Sequence, residues 1–160
     1  MEHLRPPEEI LAYRTLARVL GPNPRTVWSV RPGDSVTTAV QMMADHNIGL
    51  VVVIEDDKLV GVLSERDCAR RVLLAHKPAD ATPVADVMVR EPVTVDLSKT
   101  FADGLRLMHQ HGFRHLPVMG GGKVVAVLSV RDLMSEAVDH HAKVIRELER
   151  ERLTIFTSPV

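Results

Sequence analysis

The pattern of apolar and polar positions along the chain changes in the same order twice. A helical spacing of apolar residues, at i, i+3, i+4 and i+7, comes first, and two short apolar runs separated by a polar turn follow. These segments are Val36 to Met43, Val51 to Ile54 and Leu59 to Leu63 in the first copy, and Phe101 to Met108, Leu116 to Met119 and Lys123 to Leu128 in the second. Each pair of runs predicts a β-hairpin, and its near-continuous hydrophobicity indicates burial on both faces.

Further elements complete each unit. Short strands near Thr26 to Val30 and Val93 to Val95 precede the helices, and second helices from about Arg66 to Ala75 and from about Arg131 to His140 follow the hairpins. Each unit is therefore predicted to be β-α-β-β-α, which makes the fold class α+β. Thr100 and Asp103 form a Thr-x-x-Asp start signal for the helix that begins at Phe101.

The two copies align without a gap. A shift of 65 positions places Trp28 to Val72 on Val93 to Ala137, and eleven positions are identical. One such unit is too small to build a comfortable core alone, so the halves are expected to fold together. Two packed copies create two related clefts at their seam, and we expect function there.

Segments outside the copies flank this pair. We predict a helical segment over residues 1–22, a first motif over 23–75, a linker over 76–83, a second motif over 84–139, and a helix and tail over 140–160. Pro6-Pro7 and Gly21-Pro22 bracket the N-terminal helix. The C-terminal helix carries an apolar stripe that must cover the domain or meet another subunit; its residues are Ala137, Val138, His141, Val144, Ile145 and Leu148.

Composition narrows the function classes. The 160 residues carry a formal net charge of -1, so no global basic field attracts nucleic acid or anionic lipid. The single cysteine, Cys68, excludes an internal disulfide, and we interpret it as a small buried residue. No run approaches the roughly 18 apolar residues of a membrane span. We expect a soluble, cytoplasmic protein without a membrane or nucleic-acid partner.

A Ser-x-x-Asp sequence stands directly between a buried strand and a helix in both copies, at Ser64/Asp67 and at Ser129/Asp132. Such a sequence is a helix-capping box, which many helices use with no ligand nearby. It is also typical of a nucleotide site, because a helix N-terminus attracts phosphate and a carboxylate there can hold the cis-diol of a ribose. The arginines beside it either face solvent or contact phosphate; they are Arg66, Arg70 and Arg131.

One difference between the copies also concerns charge. Gly49 and Leu50 of the first copy are replaced by Arg114 and His115 in the second, immediately before a buried strand. Basic residues there need an anionic partner. That partner is either a bound phosphate or an acid of the other copy.

These features resemble CBS motifs, the units named after cystathionine β-synthase. The resemblance lies in Val60-Gly61-Val62-Leu63-Ser64-x-x-Asp67 and Val125-Ala126-Val127-Leu128-Ser129-x-x-Asp132, and in Gly112-Phe113-Arg114-His115-Leu116-Pro117-Val118. Over about Thr26 to Asp139 the tandem is similar to a CBS pair, or Bateman module, of the kind found in small stand-alone bacterial proteins.

The resemblance implies that adenosine ligands such as AMP, ADP, ATP, NAD or S-adenosylmethionine bind between the motifs. Asp67 and Asp132 would hold ribose hydroxyls. The adenine would lie in an apolar slot at Val27, Val51, Val93 and Leu116. The phosphates would meet Ser64, Ser129, Arg66, Arg70, Arg114, His115 and Arg131.

We therefore expect a non-catalytic adenine-nucleotide sensor that forms a homodimer and regulates a separate enzyme or transporter. Two alternatives stay open: a structural dimerisation module with empty clefts, and a nucleotide hydrolase that uses Asp67 or Asp132 as a base. We expect no metal site, because His109 and His111 point to different sides of a helix and Gly112 separates them from His115.

Overall fold

The computed structural model describes residues 12–22 and 25–157 and has the predicted α+β architecture. The first sheet, in the order β1-β2-β3-β4, contains β1 (Ser29–Val30), β2 (Leu50–Glu55), β3 (Lys58–Ser64) and β4 (Val89–Arg90). The second sheet contains β5 (Val95–Asp96), β6 (His115–Gly120) and β7 (Lys123–Ser129). The helices are α1 (Leu16–Leu20), α2 (Val36–His46), α3 (Glu65–Cys68), α4 (Phe101–His111) and α5 (Val130–Thr157).

The two copies match down to the pairing of individual residues. In each copy the short first strand runs parallel to the next strand, which pairs antiparallel with the third. Leu50 lies opposite Ser64, and His115 lies opposite Ser129, which is the same pairing shifted by 65 positions. Both hairpins also shift register at the equivalent place, after Val53 and after Val118. The predicted hairpins and the pseudo-symmetry are confirmed.

Capping residues fix both ends of the first helix in each copy. The Ser35 hydroxyl accepts a hydrogen bond from the Thr38 amide at 3.1 Å, which caps α2. Thr100 and Asp103 form the predicted capping box of α4. Both helices end at a residue in the left-handed conformation, Asn47 or Gly112, which turns the chain into the next strand.

The hairpins are buried on both faces. Val51, Val53 and Leu63 face the helices of the first copy and belong to its core, and the equivalent residues of the second copy do the same. The opposite face forms a separate cluster at the seam, which joins the copies. This cluster contains Leu50, Val52 and Val62, with Val27, Ile54, Leu59, Val89, Val124 and Val127 packed against it.

The structure corrects several predicted boundaries. The helix predicted from Arg66 to Ala75 begins as α3 and continues as a π-helical segment over Ala69–Leu73. The two helices predicted after the second hairpin are one continuous helix, α5. Strand β4 was not predicted, because its two residues carry no periodicity and pair only with the edge of β3.

The N-terminal segment packs on the second copy instead of the first copy that it precedes. The Leu16 amide donates to the Lys99 carbonyl at 2.7 Å, and the Ala17 amide donates to the Leu97 carbonyl at 3.0 Å. The Leu16 side chain is fully buried in the second core beside Phe101. Within the described residues only Leu16–Leu20 of the predicted helix is helical, and the predicted positions Ile10 and Leu11 lie outside those residues.

The apolar stripe of α5 divides between two environments. Val144 is 9% exposed, whereas Val138, Ile145 and Leu148 are 64%, 56% and 48% exposed. Across residues 12–22 and 25–157, no helix has the length and apolar character needed to span a membrane.

Candidate functional site

Two clefts open at the seam between the copies. Cleft A has a volume of about 590 Å³, and cleft B has a volume of about 420 Å³. Cleft A is lined by Arg25, Thr26, Trp28, Met43, Ala44, Asn47, Ile48, Val127, Ser129, Val130, Arg131 and Asp132. Cleft B is lined by Val62, Ser64, Arg66, Asp67, Arg70, Val89, Glu91, Pro92, Val93, His111, Gly112, Phe113 and Pro117. Five residues line both clefts: Gly49, Leu50, Glu65, Arg114 and His115.

Each cleft combines a helix N-terminus from one copy with the start of a strand from the other. Cleft A joins Ser129 to Asp132 of the second copy to Asn47 to Leu50 of the first. Cleft B joins Ser64 to Asp67 of the first copy to Gly112 to His115 of the second. The clefts are therefore related by the same shift of 65 positions as the sequence, and neither is complete within one copy.

The two predicted acids lie in separate clefts, and each also caps its helix. Asp67 Oδ2 accepts hydrogen bonds from the Ser64 amide and hydroxyl, and Asp132 Oδ2 accepts both from Ser129 at 2.8 Å. Both acids therefore do cap their helices. Capping uses one oxygen of each carboxylate, Oδ2, and leaves the second oxygen, Oδ1, for other contacts.

The Oδ1 atoms have different neighbours in the two clefts. Asp132 Oδ1 lies 3.4 Å from Arg25 Nη1, and Asp67 Oδ1 lies 3.8 Å from Arg71 Nε. Burial by itself raises the pKa of Asp132, but the hydrogen bonds from Ser129 and the charge of Arg25 outweigh it and hold that pKa below its usual value. Asp132 is therefore ionised at neutral pH.

The predicted arginines surround the clefts. Arg66 and Arg70 border cleft B, Arg131 borders cleft A, and Arg114 borders both. The Arg66 guanidinium also donates to the Gly112 carbonyl at 3.3 Å, which connects α3 of the first copy to the C-terminal end of α4 in the second. Within residues 12–22 and 25–157, Arg114 forms no ion pair with an acid of the other copy.

His115 lies between the clefts because Gly49 leaves room for it. A Cβ atom at Gly49 would lie 2.9 Å from His115 Cε1 and 3.1 Å from His115 Nε2. Burial lowers the pKa of His115, the Arg114 charge lowers it further, and Glu65 and Asp132 oppose this change. The imidazole is therefore predominantly neutral at neutral pH, with one nitrogen available to donate and the other to accept.

The adenine slot was predicted from side chains and backbone of four residues, and the structure turns two of those side chains toward the helices. Val51 and Leu116 are fully buried in the helix-facing cores, so their side chains line neither cleft. On the same two strands the neighbouring residues line the clefts instead, Leu50 on β2 and His115 and Pro117 on β6. Side chains alternate along a strand, so a one-residue difference moves a side chain to the opposite face. Val93 lines cleft B as predicted by position, and Val27 packs in the seam cluster.

Two stacked ring pairs, each with at least one ring that lines a cleft, were not predicted. Trp28 stacks on His46 with ring centroids 3.3 Å apart, and Phe113 stacks on His111 with centroids 5.5 Å apart. Trp28 lines cleft A, and both rings of the second pair line cleft B. His46 and His111 occupy equivalent positions of the repeat and are identical, which was the available signal.

The Cys68 thiol lines neither cleft. Cys68 is half-buried, and burial followed by the Asp67 charge raises the pKa of its thiol to about 11. The thiol is thus protonated at neutral pH, which suits a packing role. Among the described residues, no group of three or more His, Cys, Asp or Glu side chains is arranged to hold a metal ion.

Comparison with known proteins places this geometry in a family. The family model described as "CBS domain" matches residues 23–74 and 84–139, which together make up most of the chain. The chain belongs to the CBS-domain family. Each of the two matched segments carries one Ser-x-x-Asp sequence and one hairpin, so the tandem is a CBS pair.

Three relatives show how closely the pair resembles known CBS proteins. The crystal structure of the CBS domain NE2398 has a TM-score of 0.74 and 41% identity, covering 79% of this chain and 99% of that one. The CBS domain-containing protein YhcV of Bacillus subtilis is 33% identical, over 67% of this chain and 76% of YhcV. The CBS domain protein PAE2072 from Pyrobaculum aerophilum, solved in complex with AMP, has a TM-score of 0.66 and 25% identity, covering 74% of this chain and 89% of that one.

Proposed function

We propose that this CBS pair is a non-catalytic regulatory sensor that binds adenine nucleotides, such as AMP, ADP, ATP or NAD, in clefts A and B. The observation that carries the proposal is the position of the two acids. Asp67 and Asp132 each line a cleft and each use only Oδ2 for helix capping. Oδ1 takes no part in either cap, so it can accept hydrogen bonds from the two hydroxyls of a ribose in competition with the arginine beside it. The AMP complex of PAE2072 supports the choice of ligand class.

The walls of the clefts suit the remaining parts of a nucleotide. Trp28 in cleft A and Phe113 in cleft B offer aromatic faces, beside the apolar side chains of Leu50 and Pro117, to an adenine ring. Val93 and the backbone of the adjacent strands complete the apolar slot in cleft B.

Basic and hydroxyl groups lie where the phosphates would extend. The Ser64 and Ser129 hydroxyls and the first backbone amides of α3 and α5 form two helix N-termini that favour anions. Four guanidinium groups and the neutral imidazole of His115 border the helix ends as donors; the arginines are Arg66, Arg70, Arg114 and Arg131.

Thermal unfolding with AMP, ATP and NAD tests the proposal. A ligand present at 100 times its dissociation constant should stabilise the folded protein by about 2.7 kcal/mol. We expect at least one of the three to raise the melting temperature. No shift with any of them would favour a structural dimerisation module with empty clefts. Release of product from ATP and Mg²⁺ would instead favour a nucleotide hydrolase.

We also propose that the sensor is a cytoplasmic homodimer that contacts a regulated enzyme or transporter. The exposed residues of α5 recur at spacings of four and three, which is typical of a helix that packs against another helix; they are Met134, Val138, His141, Ile145 and Leu148.

The dimer contact can be tested by sedimentation velocity. Ile145→Glu places a charge in the stripe and should convert the dimer to a monomer. Lys143→Glu, on a different face of the same helix, should leave the dimer intact. A native protein that sediments as a monomer, or an Ile145→Glu variant that remains dimeric, would place the contact elsewhere.

A further inference from the structure

Arg25 holds the acid of cleft A in a way that has no counterpart in cleft B. Both oxygens of Asp132 are engaged, Oδ2 by Ser129 and Oδ1 by Arg25 at 3.4 Å. The partners come from opposite copies, because Arg25 precedes the first motif's strand and Asp132 begins the second motif's last helix. A ribose hydroxyl that approaches Oδ1 therefore competes with the Arg25 guanidinium.

The symmetry-related arginine does not do the same. Arg90 occupies the position equivalent to Arg25, and its guanidinium donates to the Ala85 carbonyl at 2.9 Å. The cation nearest to Asp67 Oδ1 is Arg71 at 3.8 Å, and Arg71 is tied to the Val87 and Met88 carbonyls at 2.9 Å and 3.1 Å. Within the described residues, no arginine of the second copy therefore forms an ion pair with Asp67, the acid of cleft B.

Moving Arg25 away from Asp132 has an electrostatic consequence. The guanidinium loses its carboxylate partner inside a cleft that Arg114 and Arg131 already line. A third cation brought close to these two is unfavourable unless an anion joins them. The side chain of Arg25 is 41% exposed, so it can turn within the cleft without disturbing the core.

From this we infer that Arg25 makes cleft A selective for phosphorylated adenosine over adenosine itself, an inference that rests on the proposed function. A nucleotide displaces Arg25 from Asp132 with its ribose and supplies, with its phosphate, the anion that the displaced guanidinium needs. Adenosine displaces Arg25 but has no phosphate to pair with the displaced guanidinium. Cleft B lacks this clamp, so its preference for phosphate depends on its own arginines alone.

Calorimetric titration with AMP and with adenosine tests the inference, and an Asp67→Asn background restricts binding to cleft A. Trp28 is the only tryptophan in the chain and lines cleft A, so quenching of its fluorescence assigns the bound ligand to that cleft. Arg25→Gln should weaken AMP binding about tenfold, the loss expected for a charged hydrogen bond to phosphate. It should tighten adenosine binding about two- to fivefold, since an exposed ion pair no longer competes.

The rise in adenosine affinity distinguishes an ion pair that competes with the ribose from a simple phosphate contact. Loss of a simple phosphate contact would leave the affinity for adenosine unchanged. Arg90→Gln is the matched control and should alter neither affinity. Equal weakening of both ligands by Arg25→Gln, or no change in either, would overturn the clamp while leaving the proposed function intact. No binding of either ligand to the native protein would overturn both, and melting curves of each variant confirm that the fold is retained.

Discussion

The His115 side chain lies between the two clefts. It lines both of them, fills the space left by Gly49, and lies near the charges of Glu65, Arg114 and Asp132. A phosphate in either cleft would approach the same imidazole. Occupation of one cleft is therefore expected to affect binding in the other through this residue.

The lowered pKa of His115 predicts a pH-dependent contribution to stability. The unfolded chain, with a histidine pKa of about 6.5, takes up a proton before the folded protein does. The stabilisation is present above that pH and is lost as the pH falls through the lower folded pKa. His115→Asn should therefore make the free energy of unfolding, measured with urea between pH 5 and pH 7.5, less dependent on pH.

Burial, and then the charge of His141, also lower the pKa of His140. His140 therefore contributes a pH dependence of the same sign, and some pH dependence of the free energy of unfolding should remain in the His115→Asn variant. His109→Asn is the matched control, because His109 is exposed and lines neither cleft. An unchanged pH dependence in His115→Asn would show that the imidazole titrates as it does in the unfolded chain.

Helix α1 shows that the segment before the first motif is part of the second motif's core. Its amides complete hydrogen bonds to the loop before α4, and Leu16 fills a position beside Phe101. Leu16→Ala should lower the free energy of unfolding by about 2–5 kcal/mol, the usual range for removing a buried leucine side chain. Equilibrium urea unfolding measures this loss.

Leu73→Ala makes the same chemical change at a residue that is 72% exposed, and it should alter the free energy of unfolding by less than about 0.5 kcal/mol. Similar losses in the two variants would mean that Leu16 is not a core residue in solution.

Elements with a strong local pattern could be predicted from the sequence. The hairpins and the helix that begins at Phe101 follow from periodicity and capping residues, which act within a few positions. Docking of α1 on the second copy, strand β4 and the π-helical segment Ala69–Leu73 could not be predicted. The first two depend on partners that are distant in the sequence. The π-helical segment depends on a change of backbone hydrogen-bond partner that no residue type indicates.

The candidate site was predictable in its polar part and less so in its apolar part. The repeated Ser-x-x-Asp identified both acids, because the chemistry that caps a helix also places a carboxylate beside its N-terminus. The direction of the Val51 and Leu116 side chains could not be predicted, because both faces of these strands are apolar and alternation does not distinguish them. The clamp of Arg25 on Asp132 joins the two copies and needed the tertiary structure.

Each copy of the pair completes the cleft of the other. A ligand in either cleft would therefore contact both copies and would stabilise one arrangement of the pair over others. The arrangement shifts only as far as the ligand's affinity differs between states.

The most direct test of this account is calorimetric titration of AMP into the native protein and into Asp67→Asn, Asp132→Asn and the double variant. Asp103→Asn is the control, since Asp103 forms the same kind of capping box at the start of α4 and lines neither cleft. We predict that each single variant weakens AMP binding at one cleft, that the double variant abolishes it, and that Asp103→Asn binds as the native protein does. A folded double variant that binds AMP with native affinity would contradict the account and leave Asp67 and Asp132 as helix caps alone.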